Sequence, residues 1–151
     1  MNIHHETLVF ERSFNAPPER LFQAYADPKE RTAWTMPSPD DVMVIDSSEV
    51  RTGGTEVARC GTKDNLGWRM NVVYHLVTEN RQITFTEELR DKDTLLTVAL
   101  ITFDFADRTG GGTALKLTDQ VTSFVGEDAV SGHRHGYTQA LTNLAKALDD
   151  A

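Results

Sequence analysis

Cysteine is almost missing: Cys60 is the one thiol among 151 residues. A lone cysteine closes no internal disulfide and supplies no multi-thiolate metal site, which suits a reducing compartment. Long apolar runs are missing as well, since no stretch approaches the roughly 20 residues that span a bilayer. Cations are short against acids, with 15 Lys and Arg facing 23 Asp and Glu. The resulting formal charge of -8 repels phosphate backbones, so no nucleic-acid partner is expected. Met1 to Phe10 lacks the basic end and apolar stretch of a signal peptide, and a cytoplasmic protein is expected. Gly-x-Ser-x-Gly, Gly-x-Gly-x-x-Gly and the Walker loop do not occur, which leaves serine hydrolysis, nucleotide hydrolysis and dinucleotide binding without support.

What the chain does contain is enough apolar material for one core. Hydrophobic residues make up 39% and charged ones 25%, values of a folding domain rather than a disordered tail. The length matches a single domain over 1–151, and no repeat, low-complexity tract or linker divides it.

Leu8, Phe10 and Phe14 alternate with polar residues from Thr7 to Phe14, the period of a half-buried strand. Asn15-Ala16-Pro17-Pro18 stops it, and Pro17 to Ala26 predicts a short helix burying Leu21, Phe22 and Tyr25. Asp27-Pro28 pairs a capping carboxylate with a first-turn proline, so a second short helix runs to Trp34 before the breaker stretch Met36-Pro37-Ser38-Pro39. Six strands in three hairpins follow: Val42 to Glu49 with Thr55 to Gly61, Trp68 to Thr78 with Gln82 to Leu89, and Thr94 to Phe105 with Thr113 to Ser123. Then the period changes. Val130, Arg134, Tyr137, Leu141, Leu144 and Leu148 recur at helical spacing, predicting a long helix over about Asp128 to Leu148. Gly132 and Gly136 weaken that helix, and close packing of its backbone on the sheet is the expected reason. The order is α+β.

Several segments resemble one superfamily in the same order. Arg12-Ser13-Phe14-Asn15-Ala16-Pro17 with Leu21-Phe22, Asp27-Pro28, Trp34-Thr35-Met36-Pro37 and Arg51-Thr52-Gly53-Gly54 are similar to its early landmarks. Arg81-Gln82-Ile83-Thr84-Phe85-Thr86, Gly112 to Thr118, and Gly136-Tyr137 with Leu141 and Leu144 are similar to its later ones. The chain resembles the helix-grip superfamily of START, Bet v 1 and polyketide-cyclase domains, specifically the Hsp90-ATPase-activator-like group. Thr35, Met36, Tyr137 and Asp119 stand where relatives carry other residues, so a relative's ligand does not transfer. The resemblance implies a curved antiparallel sheet of about seven strands wrapped around the long C-terminal helix, with two short helices after strand one. It also implies a mostly apolar cavity between sheet and helix.

Candidate cavity residues follow from strand alternation and that fold. Phe85 and Glu87 share a face, as do Leu117 and Asp119, and Phe103 lies on the inward side of its strand. The two acids sit either inside a pocket, with raised pKa values, or at the sheet's rim in water. His133 and Tyr137 are one turn apart, placed to grip a polar part of a ligand or to serve as helix surface and core respectively. Trp34 marks the family's cavity entrance, or else ordinary packing. Cys60 reads as an inert thiol, and the spacing of His133 with His135 suits no metal site. No cofactor is expected. The first functional reading is a module binding a small hydrophobic or amphipathic molecule. An enzyme of the cyclase or hydrolase kind using Glu87, Asp119, His133 and Tyr137 is the second. A co-chaperone-like interaction protein comes third, since the fold begins too early for a preceding co-chaperone domain. Leu96, Val98 and Leu100 face away from the core, and with Val73 and Val77 they suggest a homodimer patch.

Overall fold

The computed structural model describes residues 1–36 and 38–149; Pro37 of the breaker stretch and the last two residues lie outside them. β1 (His4–Phe14) buries Leu8, Phe10 and Phe14 and exposes the residues between them. Two short helices follow, α1 (Pro18–Ala26) and α2 (Pro28–Trp34). Asp27 caps the second by accepting from the Lys29 backbone N–H at 2.9 Å. Six strands then run in sequence: β2 (Asp41–Ser48), β3 (Thr55–Thr62), β4 (Asn65–Thr78), β5 (Gln82–Asp91), β6 (Thr94–Asp107) and β7 (Thr113–Ser123). β1 adds beside β7, which gives the order β1-β7-β6-β5-β4-β3-β2 with β5 in the middle. The long helix α3 (Glu127–Asp149) lies against β1 and β7, α1 against β6, and α2 against β2 and α3. This is the expected helix-grip arrangement.

Two glycines hold the turns because a side chain has nowhere to go. A Cβ on Gly54 would stand 2.0 Å from the Glu49 carbonyl oxygen. On Gly112, at φ +89°, it would meet the Phe14 carbonyl oxygen at 2.2 Å. The helical glycines behave differently from expectation. At Gly132 and Gly136 a Cβ would meet no atom within 4 Å, so close packing does not explain them.

Two further expectations are corrected. Val77 does not join the outward face: a register shift between Tyr74 and Leu76 reverses the alternation, turning Val77 towards the core and leaving Leu76 53% exposed. The buried stripe of α3 runs through half-buried His133 rather than Arg134, because His133 finds an acid on the sheet while Arg134 reaches outwards to Glu6 at 3.7 Å. Leu100 and Val73 do stay exposed on the outer face, while Leu96 and Val98 are half-buried.

Antiparallel register lines up the inner face in rows, each running across five strands. One row is Tyr74, Phe85, Ile101, Asp119 and Leu8. Beside it run Glu56, Val72, Glu87, Ala99 and Val121, and next Ala58, Met70, Leu89, Thr97 and Ser123. The first row is bulky and aromatic. The other two carry small or flexible side chains.

Candidate functional site

The two halves of the inner face are filled in different ways. On one side Phe10, Tyr25, Tyr74, Phe85, Phe103, Phe105 and Tyr137 form a chain of rings with centroids 5.0 to 6.4 Å apart. Phe85 and Phe103 are 2% exposed and Leu117 is fully enclosed, so these three sit in packed core. Trp34 is buried too, with its indole N–H donating to the Ala24 carbonyl at 3.0 Å, which is a packing role.

On the other side the helices leave the sheet partly open. Asn143 donates from α3 to the carbonyls of Trp34 and Met36 at 3.2 and 3.0 Å, which ties this flank of the helix to the end of α2. Gly136 lies two turns earlier on the same flank, half-buried and with free space beside it. Between that flank and β3, β4 and β5, Met70, Leu89 and Glu87 remain half-buried rather than enclosed. Glu87 stands on the central strand, flanked in its row by the smaller Val72 and Ala99. Trp68 pairs with Cys60 on β3 and shares its strand face with Met70 and Val72; at 47% exposed it forms an aromatic lip.

Polar groups converge beside these half-buried residues. The Asp119 carboxylate accepts from the His133 Nδ1–H at 2.7 Å, and Nε2 of the same ring faces the Thr97 hydroxyl at 3.2 Å. Asp119 is fully buried, not at a wet rim, and its Oδ1 has no partner among the described residues. Burial pushes the His133 ring down, but the hydrogen bond it donates to Asp119 and the charges of Asp119 and Glu87 outweigh it, so its pKa is raised. Burial pushes Glu87 up to about 7, helped by Asp119 and Glu56 and opposed by His133 and Arg31. Burial likewise drives the Tyr137 phenol well above its ordinary value, which keeps it a neutral donor. Glu87, Asp119, His133 and Tyr137 therefore come together, and the rings of His133 and Tyr137 lie 6.5 Å apart.

A second polar cluster joins α2 to β3. Arg31 from α2 is ion-paired with Glu56 of β3, and both are at least 97% buried. Arg31 also donates to the Tyr74 hydroxyl at 3.0 Å and covers the Tyr25 ring at 4.4 Å. The Glu56 carboxylate further accepts from Tyr74 at 3.0 Å and Ser48 at 2.6 Å. The sequence reading passed over this cluster, although two signals marked it. Glu56 shares a strand face with Ala58 and Cys60, and Arg31 lies one helical turn before Trp34.

Burial lifts the Cys60 thiol to about 12, with Glu87 and Asp41 adding to the rise. Modification by a thiol reagent at pH 8 is expected to run more than roughly a hundredfold slower than for free cysteine, until denaturant exposes the site. A folded protein labelling at the free-cysteine rate would contradict this placement. Among the described residues no group of three or more His, Cys, Asp or Glu is arranged to hold a metal ion, and no helix is long and apolar enough to cross a membrane.

Known structures share this architecture from end to end. An uncharacterised protein from Rhizobium leguminosarum superposes with a TM-score of 0.85 at 25% identity, covering 99% of this chain and 98% of its own. A protein from Rhizobium loti gives 0.81 at 26% identity, covering 97% and 99%. An Activator of Hsp90 ATPase-type protein from Silicibacter pomeroyi gives 0.77 at 20% identity, covering 95% and 98%, a likeness of fold alone. No curated protein matches the chain in sequence. The family described as Activator of Hsp90 ATPase homolog 1-like protein matches residues 15–149. Sequence match, strand order and helix placement agree, and the chain belongs to the Activator of Hsp90 ATPase homolog 1-like family.

Proposed function

We propose that this protein binds a small hydrophobic or amphipathic molecule in the groove between the first half of α3 and strands β3 to β5. One observation carries the reading: a half-buried carboxyl group, Glu87, stands at the middle of the inner face among Val72, Ala99, Met70 and Leu89, below a helix flank that Gly136 leaves open. An apolar recess with a few convergent polar groups is what small-molecule sites have in common. Affinity comes from the apolar lining, and Glu87, His133 and Tyr137 set orientation. The packed rings of Phe85, Phe103 and Tyr25 act as a rigid back wall rather than as contact surface.

Gly136→Phe tests this. Its ring enters the open space beside α3 and fills the groove, so binding of an environment-sensitive apolar dye should weaken at least tenfold while far-UV and near-UV spectra stay unchanged. Gly136→Ala should bind normally and gain about 1 kcal/mol of stability, because nothing crowds its methyl group. A folded parent that fails to brighten the dye, or a phenylalanine variant that binds it as the parent does, refutes the groove.

A second reading is acid–base catalysis on the bound molecule. It is favoured by the Asp119–His133–Thr97 chain beside a carboxyl group that titrates near neutrality. Under it, Glu87→Gln removes turnover and leaves dye affinity intact; as a carrier, the protein has no turnover to lose.

A further inference from the structure

The charges inside the groove do not balance. Two cations and three acids face it: Arg31 and His133 against Glu56, Asp119 and Glu87. Arg31 is paired with Glu56 and His133 with Asp119, each through a hydrogen-bonded contact. Glu87 is the acid left over, half-buried on the central strand with no ion-pair or hydrogen-bond partner among the described residues. Buried Asp119 Oδ1 is unpartnered beside it in the same polar group. A half-desolvated carboxylate without a donor is costly, so the groove's unmet demand is for a positively charged donor.

The walls suit such a ligand. Met70 and Leu89 offer flexible apolar surface one row from Glu87. Trp68 presents a half-exposed indole at the lip, the aromatic group that cations favour most. Outside, the net charge of -8 draws cations towards the protein and repels anions.

We propose that the groove's ligand is a small hydrophobic amine, held as its ammonium by the Glu87 carboxylate with its apolar part against Met70, Leu89 and Trp68. This rests on the groove being a ligand site, and it adds the ligand's class. The ammonium replaces the missing counter-ion and the chain removes apolar surface from water. A carboxylate ligand meets Glu87 as a like charge, and an alcohol leaves the charge uncompensated.

Octylamine, octanol and octanoate form a matched set for the test, read by calorimetry and by displacement of the apolar dye. At pH 8 octylamine should bind on the order of tenfold tighter than octanol, and octanoate weakest of the three. Glu87→Gln should bring octylamine down to octanol. Should that variant fail to fold, the parent's pH dependence carries the same information. The groups facing Glu87 are Arg31 on α2, Glu56 and Cys60 on β3, Asp119 on β7, and His133 and Tyr137 on α3. Of these, Glu87 titrates near 7, and the His133 pKa is raised above its ordinary value by Asp119 and Glu87. As pH rises through about 7 Glu87 ionises, so octylamine should tighten and octanol should not change. Octanol equal to octylamine at pH 8, or octanoate binding tightest, overturns the amine assignment and leaves the groove standing. If none of the three binds and the dye stays dark, the groove reading falls and takes the amine with it.

Discussion

Arg31→Met should be the most damaging conservative-sized substitution in the chain, costing about 3–5 kcal/mol. The guanidinium is 3% exposed and serves Glu56, Tyr74 and the Tyr25 ring at once. Removing it leaves the Glu56 carboxylate buried with only hydroxyl donors, Tyr74 and Ser48, to hold its charge. A domain of this size is stable by roughly 5–15 kcal/mol, so the loss brings the variant close to its unfolding midpoint at modest urea. The damage comes from the stranded acid rather than from the missing arginine. Adding Glu56→Leu to Arg31→Met should therefore restore most of the lost stability, since well-packed apolar residues often equal a buried ion pair. Urea midpoints of the parent, both single variants and the double variant decide it. Single variants within about 1 kcal/mol of the parent, or a double variant that simply sums them, would mean the pair is solvated and uncoupled.

The same pair shows where a sequence stops being readable. Periods set by local burial announced β1 and α3, while proline, capping and turn residues marked the short helices and the three hairpins between them. Glu87, Asp119, His133 and Tyr137 were visible as candidates for the same reason: each sits on a period with apolar neighbours. What alternation does not carry is distance across the fold. Arg31 and Glu56 lie on a short helix and on a strand separated from it by the whole of β2, and only the folding of α2 onto the sheet joins them. Local irregularity hides in the same way. The bulge near His75 reverses one strand's end, so Val77 reads outward and points inward. Gly132 and Gly136 were read as crowded because small residues often mark close approach, but a missing side chain marks open space equally well. Trp34 was open between the family's cavity entrance and ordinary packing, and Phe103 lay on the inward side of its strand; the burial of both is set by neighbours far away in sequence.

Raising pH should weaken this fold across neutrality, and Glu87 should be the main cause. Its pKa rises from 4.5 to about 7 on folding, so the folded state holds this proton more tightly than the unfolded chain does. The associated stability is complete below about pH 4.5 and is lost as pH climbs through about 7. His133 acts in the same sense, because its folded pKa is also raised: its contribution is full below the ordinary imidazole range and fades above it. At pH 8 the ionised Glu87 should cost on the order of 2–3 kcal/mol relative to a neutral group of the same shape. Glu87→Gln provides that group. The variant should melt about 5–10 °C above the parent at pH 8 and close to it at pH 4.5. Its remaining decline with pH should be shallower, since His133 still titrates against Asp119. Parallel melting curves for parent and variant across that range would show that Glu87 titrates as an ordinary solvated acid. The site would then lose the desolvated carboxyl group on which its ligand chemistry depends.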